Sequence, residues 1–143
     1  VQLGESMYYE YITEIHPSNN GSTVVLASGV DFPVSVFEQR QDCVGDVCTD
    51  WNKMGDLEIP VDAVEQYVAF SGDGRNVIIG ESKSNQENVA LLFRRTGSSF
   101  VAVDSRQLQD GTLHGLILDM TGEQLVVAVG DTVTVYRKDC QGE

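Results

Sequence analysis

The chain has 143 residues, 41% of them hydrophobic, enough for one domain with its own core. Its 22 acidic residues against 9 basic ones give a net charge of −13, which repels nucleic-acid phosphates and anionic membranes and leaves neutral, cationic or metal-bridged partners. No run approaches the roughly 18 to 20 consecutive apolar residues of a membrane helix, so no transmembrane segment is predicted.

The opening "VQLGES" is too polar for a secretory leader, and a leader already removed would leave such a start. It reads as a strand. In "MYYEYI", a strand would set Tyr9 and Tyr11 on one face beside Tyr8, giving a cluster of rigid amphipathic rings. That cluster is a candidate binding surface, with core packing as its alternative. Next comes "IHPSNNGSTVVLASG" from Ile15, an apolar strand, a polar turn and a second apolar strand. Its "NGS" makes Asn20 a candidate N-glycosylation acceptor.

"VSVFEQR" at 34–40 gives a further strand and leads into "RQDCVGDVCTDW". There Cys43 and Cys48 form a candidate disulfide across a hairpin tip if their Cα atoms come within about 7 Å; free thiols are the other reading. Zinc would need four ligands, and the remaining candidates, His16 and His114, follow no finger spacing. Trp51 then opens a strand, and "PVDAVEQ" at 60–66 reads either as one helical turn with proline first or as a loop.

The pattern then repeats. "VAFSGDGRNVIIGES" from Val68 and "LILDMTGEQLVVAVG" from Leu116 align without gaps on the stretch from Ile15, with glycine at the fourth turn position in each: Gly21, Gly74 and Gly122. A tight turn that needs positive φ accounts for the glycine. Downstream, "ALLFRRT" at 90–96 and "VTVYRKD" at 133–139 match "VSVFEQR", aligning Phe37, Phe93 and Tyr136. "SFVAVDS" places Phe100 where Trp51 stands, 49 residues earlier. "ESKSNQEN" at 81–88 is polar and aperiodic and reads as a solvated loop whose counterpart is the short "GD" at 130–131.

A four-strand unit of this period predicts an all-β fold of four-stranded antiparallel propeller blades, about three of them, in repeats near 1–50, 51–99 and 100–143 of a single unit spanning 1–143. Because propellers close with four to eight blades, the three are expected to belong to a larger propeller or to be completed by other chains. "RKDCQGE" aligns Cys140 with Cys43, so that in a longer parent chain a partner thiol for Cys140 is expected just past Glu143, its pairing being left open by the sequence.

The residues "YVAFSGDGRNVIIGES" and "NVALLFRRTGSSF" resemble FG-GAP-type β-propeller repeats, and "DMTGEQLVVAVGDTVTVYR" is a fair match. WD-repeat and kelch-type blades are the alternatives. The resemblance implies extracellular binding or scaffolding, sometimes with calcium in a D-x-D-x-D-G loop. That loop is missing: the turns offer Asp73 with Ser71 and Asn76, Asn19 with Asn20, and Asp119 with Glu123, too few carboxylates for calcium. No cofactor or metal is expected.

No nucleophile elbow, Walker loop or H-E-x-x-H occurs, and no catalytic residue is assigned. Gly72-Asp73-Gly74 reads as a hairpin turn and not a phosphate cradle, because no helix or lysine follows where one is needed. The carboxylate pairs Asp46/Asp50, Asp56/Glu58 and Asp62/Glu65 read as an acidic surface; a glycosidase would need a pair about 5 to 10 Å apart across a cleft. The expected function is a non-enzymatic, secreted or lumenal scaffold or adhesion module, binding protein partners or further blades of the same chain and no nucleic acid. A carbohydrate-active module, lectin or hydrolase, is the alternative, with a glycan as ligand.

Overall fold

The structure, a computed structural model, describes residues 12–30, 33–39, 51–57, 59 and 62–138. Eleven strands and no helix occur among them. Strands β1 (Glu14–Pro17), β2 (Thr23–Ala27), β3 (Val34–Gln39) and β4 (Trp51–Leu57) form one antiparallel sheet in that order. Strands β5 (Ala63–Phe70), β6 (Asn76–Lys83), β7 (Asn88–Thr96) and β8 (Ser99–Gln107) form the second. The third consists of β9 (Leu113–Leu118), β10 (Gln124–Val129) and β11 (Thr132–Arg137). The first two sheets therefore end on the strands from which the sequence period was counted, Trp51 at the start of β4 and Phe100 near the start of β8.

The registers repeat with the sequence. Val24 pairs with Phe37, Val77 with Phe93 and Leu125 with Tyr136, so the three aromatics occupy one position in three sheets. His16, Ala69 and Ile117 likewise sit opposite Val25, Ile78 and Val126. Because side chains alternate across a strand, the second sheet has two apolar faces and packs on both of its neighbours. Val25, Ala27, Val34 and Val36 of the first sheet meet Val68, Phe70, Val77, Ile79 and Phe93 of the second. Phe100 adds an edge-to-face contact with Phe70, ring centroids 6.5 Å apart. Ala69, Ile78 and Ala90, on the opposite face, meet Leu113, Leu116, Leu118, Leu125 and Val127 of the third sheet.

On the far face of the third sheet, Ile117, Val133 and Val135 are 69%, 67% and 51% exposed. Their counterparts two sheets earlier include Val34 and Val36, which are buried against the next sheet.

Three turns join the inner strands. In each, the glycine N–H donates to the carbonyl three residues back, Gly21 to Ser18, Gly74 to Ser71 and Gly122 to Asp119. The glycine φ values are +70°, +74° and +77°, a region closed to most side chains. The turns also touch one another: Asn19 N–H donates to Gly72 O, and Asp73 N–H to Met120 O, both at 2.8 Å.

Two local expectations need correction. Ala63-Val64-Glu65-Gln66 is neither helix nor loop but the start of β5, paired with β6. Within "ESKSNQEN" only 84–87 turn the chain; Glu81, Ser82 and Asn88 are buried strand residues. Polar residues were buried there because β6 runs past the apolar core to the end of the sheet.

Candidate functional site

A cleft opens between the second and third sheets. At its outer end, a space of about 510 Å³ is bordered by Arg75, Arg94, Arg95 and Lys138 with Asp73 and Glu123. It continues into a space of about 430 Å³ whose walls are Ile78, Ala90 and Leu92 on one side and Leu118, Leu125 and Tyr136 on the other. Arg94, Gly122, Glu123 and Lys138 line both parts, which makes them one groove, cationic outside and apolar within.

The groove exists because the repeat changes its residues at this junction. Between the first two sheets, Leu57 pairs with Val34 and is 4% exposed. In the second sheet the matching pair is Arg106 with Ala90, one side chain too polar to bury and the other too small to fill the space. The Arg106 guanidinium instead lies over the Tyr136 ring, 5.2 Å from its centroid, in the manner of a cation–π contact. The rim changes as well. Glu38 follows Phe37 and binds Arg95 of the next sheet at 2.6 Å, whereas Arg94 follows Phe93 and faces a sheet that carries Lys138 at the position of Arg95.

Six of the nine basic residues thus gather at one groove: Arg75, Arg94, Arg95, Arg106, Arg137 and Lys138. Three acids, Asp73, Asp104 and Glu123, line it with them, and Glu38 of the first sheet pairs with Arg95. The groove is positive on a chain of net charge −13.

The turns that border it, and the equivalent turn of the first sheet, are braced by side-chain hydrogen bonds. Ser71 Oγ donates to Asp73 Oδ1 at 2.6 Å and accepts the Asn76 N–H at 2.9 Å, while Asp73 Oδ1 also accepts the Arg75 N–H. Asn20 repeats this with its amide oxygen, accepting from Ser18 Oγ, Ser22 N–H and Ser22 Oγ. The third turn exchanges the two roles. Asp119 stands first and Oδ1 accepts the Glu123 and Gln124 N–H groups, while Oδ2 accepts the Thr121 hydroxyl. Those bonds, the one from Gln124 foremost, hold its carboxyl below the usual range. Asn76 ties the turns across the junction, donating to Thr121 O at 3.3 Å.

Of the residues singled out in the sequence, Asn20 lies in an exposed turn. Its Nδ2 donates no hydrogen bond among the described residues. Cys43, Cys48 and Cys140, with Tyr8, Tyr9 and Tyr11, lie outside the described residues, as do Asp46, Asp50 and Glu58. His16 lies in β1, its Nε2 2.8 Å from Glu14 Oε2, which also accepts the Val68 N–H. His114 is exposed in β9, and Asp62 pairs with Lys83 at 3.2 Å. Trp51 is half-buried at the start of β4. Asp56 bonds Ser35 and Lys53; burial works against its charge, and these two bonds outweigh it, so its pKa is lowered.

Sequence reasoning missed Glu81. It is 2% exposed, and burial first, with Asp62 second and Lys83 opposing, pushes its pKa up to about 7. A carboxylate raised that far would suit acid–base chemistry in an open site. Glu81 instead lies in the strand interior opposite Gln66, with its Oε1 and both Gln66 amide atoms lacking hydrogen-bond partners.

No family model matches the chain, and no curated protein is significantly similar to it. Solved structures are similar in fold. The β-propeller domain of Cps50 (Swd1) from Myceliophteria thermophila superposes with a TM-score of 0.66 at 17% identity, over 89% of this chain and 38% of that one. A protein from Lactobacillus plantarum gives 0.64 at 18% identity, over 95% of this chain and 40% of that one. The chain therefore spans about two-fifths of the length of these structures. Its three stacked antiparallel sheets are blades of a β-propeller.

Proposed function

We propose that the protein is a β-propeller module that works through protein–protein contacts, as a structural or adhesion scaffold of the FG-GAP type in a secreted or lumenal setting. The observation that carries this reading is the groove between the second and third blades, whose walls are fixed by turns hydrogen-bonded from blade to blade. A rigid frame holding charged and apolar side chains at set positions suits recognition. Further blades, in the same chain or another, cover the far face of the third sheet, since Val133 and Val135 stand at the positions of Val34 and Val36 and of Ala90 and Leu92, which pack inside the other two junctions. The exposed Asn20 with its uncommitted Nδ2 supports the secretory setting.

The test is capture of partners on the immobilised chain, followed by reconstitution with each captured protein after purification. Saturable binding of a purified partner supports the reading. Hydrolysis of a glycan that disappears on a single carboxylate substitution would replace it with an enzyme, and glycan-array binding without turnover would replace it with a lectin. For the compartment, expression in a secreting eukaryotic host should give a band that shifts on N-glycosidase treatment and ceases to shift in Asn20→Gln.

A further inference from the structure

Resting on that protein-interaction reading, we propose that the groove between the second and third blades docks a short acidic protein segment that carries an apolar side chain beside its carboxylates.

The first junction shows what such a groove does when it is filled from within. There Glu38 supplies a carboxylate to Arg95 at the rim, and Leu57 fills the space below. One repeat later the rim position of Glu38 is occupied by Arg94 and the filler position of Leu57 by Arg106. The second junction thus has cations where the first has an acid, and a space of about 430 Å³ beneath them. Arg75 and Arg137 add charge without a carboxylate partner among the described residues. A bound carboxylate restores at this rim the pairing that Glu38 provides at the other, and a leucine-sized side chain beside it occupies the space that Leu57 fills there.

The shape of the charge distribution selects the class of partner. An extended polyanion, such as a nucleic acid or a bilayer, must approach well beyond the groove, against the repulsion of a chain whose net charge is −13. A small inorganic anion would satisfy the arginines and leave the apolar walls empty. A short peptide meets both ends of the groove and avoids the surrounding acidic surface. Binding of this kind weakens with salt, because a rim charge acts through a screened field.

The probe is a fluorescein-labelled peptide, Asp-Glu-Leu-Asp-Glu-Glu, titrated with the full chain and followed by anisotropy. Saturable binding is expected, weaker at about 300 mM than at about 50 mM NaCl and weaker by about tenfold in Arg94→Glu, which places the rim acid in the protein itself. Replacing the peptide leucine by glycine should weaken it again. Arg75→Gln, at an exposed position, provides a second variant if Arg94→Glu lowers the melting temperature. Equal binding of Asn-Gln-Leu-Asn-Gln-Gln, or undiminished binding in both variants, overturns the proposal. Tighter binding of single-stranded DNA or phosphatidylserine vesicles than of the peptide overturns it too. If the peptide fails while a purified protein partner still binds the chain, only this inference falls; if no protein partner binds either, the interaction reading falls with it.

Discussion

Glu81 and Gln66 face each other across the β5–β6 register, both in the interior, and neither offers the other a hydrogen bond. The carboxyl titrates near pH 7 in the folded chain and at its ordinary value of 4.5 once exposed. The folded state therefore holds the proton more tightly. This contribution to stability is full below about pH 4.5, declines as pH rises, and is gone above about pH 7. Glu81→Gln removes the dependence. Urea midpoints should show the variant gaining on the wild type by up to about 3 kcal/mol between pH 4 and pH 8. A constant difference over that range would contradict the assignment.

At Gly80 the second blade packs tightly on the third. A Cβ there would meet Leu116 Cδ2 at 2.2 Å and Leu113 Cδ2 at 3.3 Å. Both leucines are packed in the shared core and have little room to move. Gly80→Ala should cost about 1 to 3 kcal/mol by overpacking. Combined with Leu116→Ala, the loss should be smaller than the sum of the two single losses, because the new methyl occupies part of the space vacated.

Asn88, 0% exposed at the start of β7, donates from Nδ2 to Gln109 O and to Gly111 O, each at 2.9 Å. It thereby anchors the connection from the second blade to the third. Asn88→Ala should destabilise by about 2 to 3 kcal/mol by leaving these carbonyls unpaired. Amide exchange should accelerate first in residues 108–112, and uniform acceleration along the chain would argue against a local anchor.

In the turn, the side chains at 73 and 74 should separate cleanly. Asp73→Asn keeps the oxygen that Asn20 already supplies in the first turn, so thermal melting should move by no more than about 0.5 kcal/mol. Asp73→Ala should cost about 1 kcal/mol, since Ser71 and Arg75 lose their acceptor. Gly74→Ala should cost a similar amount for its φ of +74°.

The repeat was legible because its signals are local. A glycine at φ near +70° and an aromatic at a fixed distance survive in each copy, and the registers place Phe37, Phe93 and Tyr136 at equivalent positions. Asp73 shows the limit of that comparison. The three turns differ at its position yet build the same bonds, Asp119 and Thr121 doing so with exchanged roles. Ala63–Gln66 was misread because pairing with β6 overrides the helical start that a proline suggests. The groove was hidden by the total charge, which points the other way. Its trace lay in the alignment itself, where Glu38, Arg94 and Arg137 share one position and Gln39, Arg95 and Lys138 the next. Those rows become a site only when adjacent copies are stacked.

The inner turns and the outer hairpin of the third blade differ in what a longer loop would do to them. Lengthening the turn at Asn19–Gly21 or Gly72–Gly74 would separate donor from acceptor in the bonds Asn19 to Gly72 and Asp73 to Met120, loosening two blades at once. Gly130-Asp131 is exposed, and the Gly130 N–H bonds to Thr112 O, next to its own sheet. That hairpin is accordingly the place to graft an epitope, a fluorophore or a second domain, leaving the groove and its clamps in their present geometry.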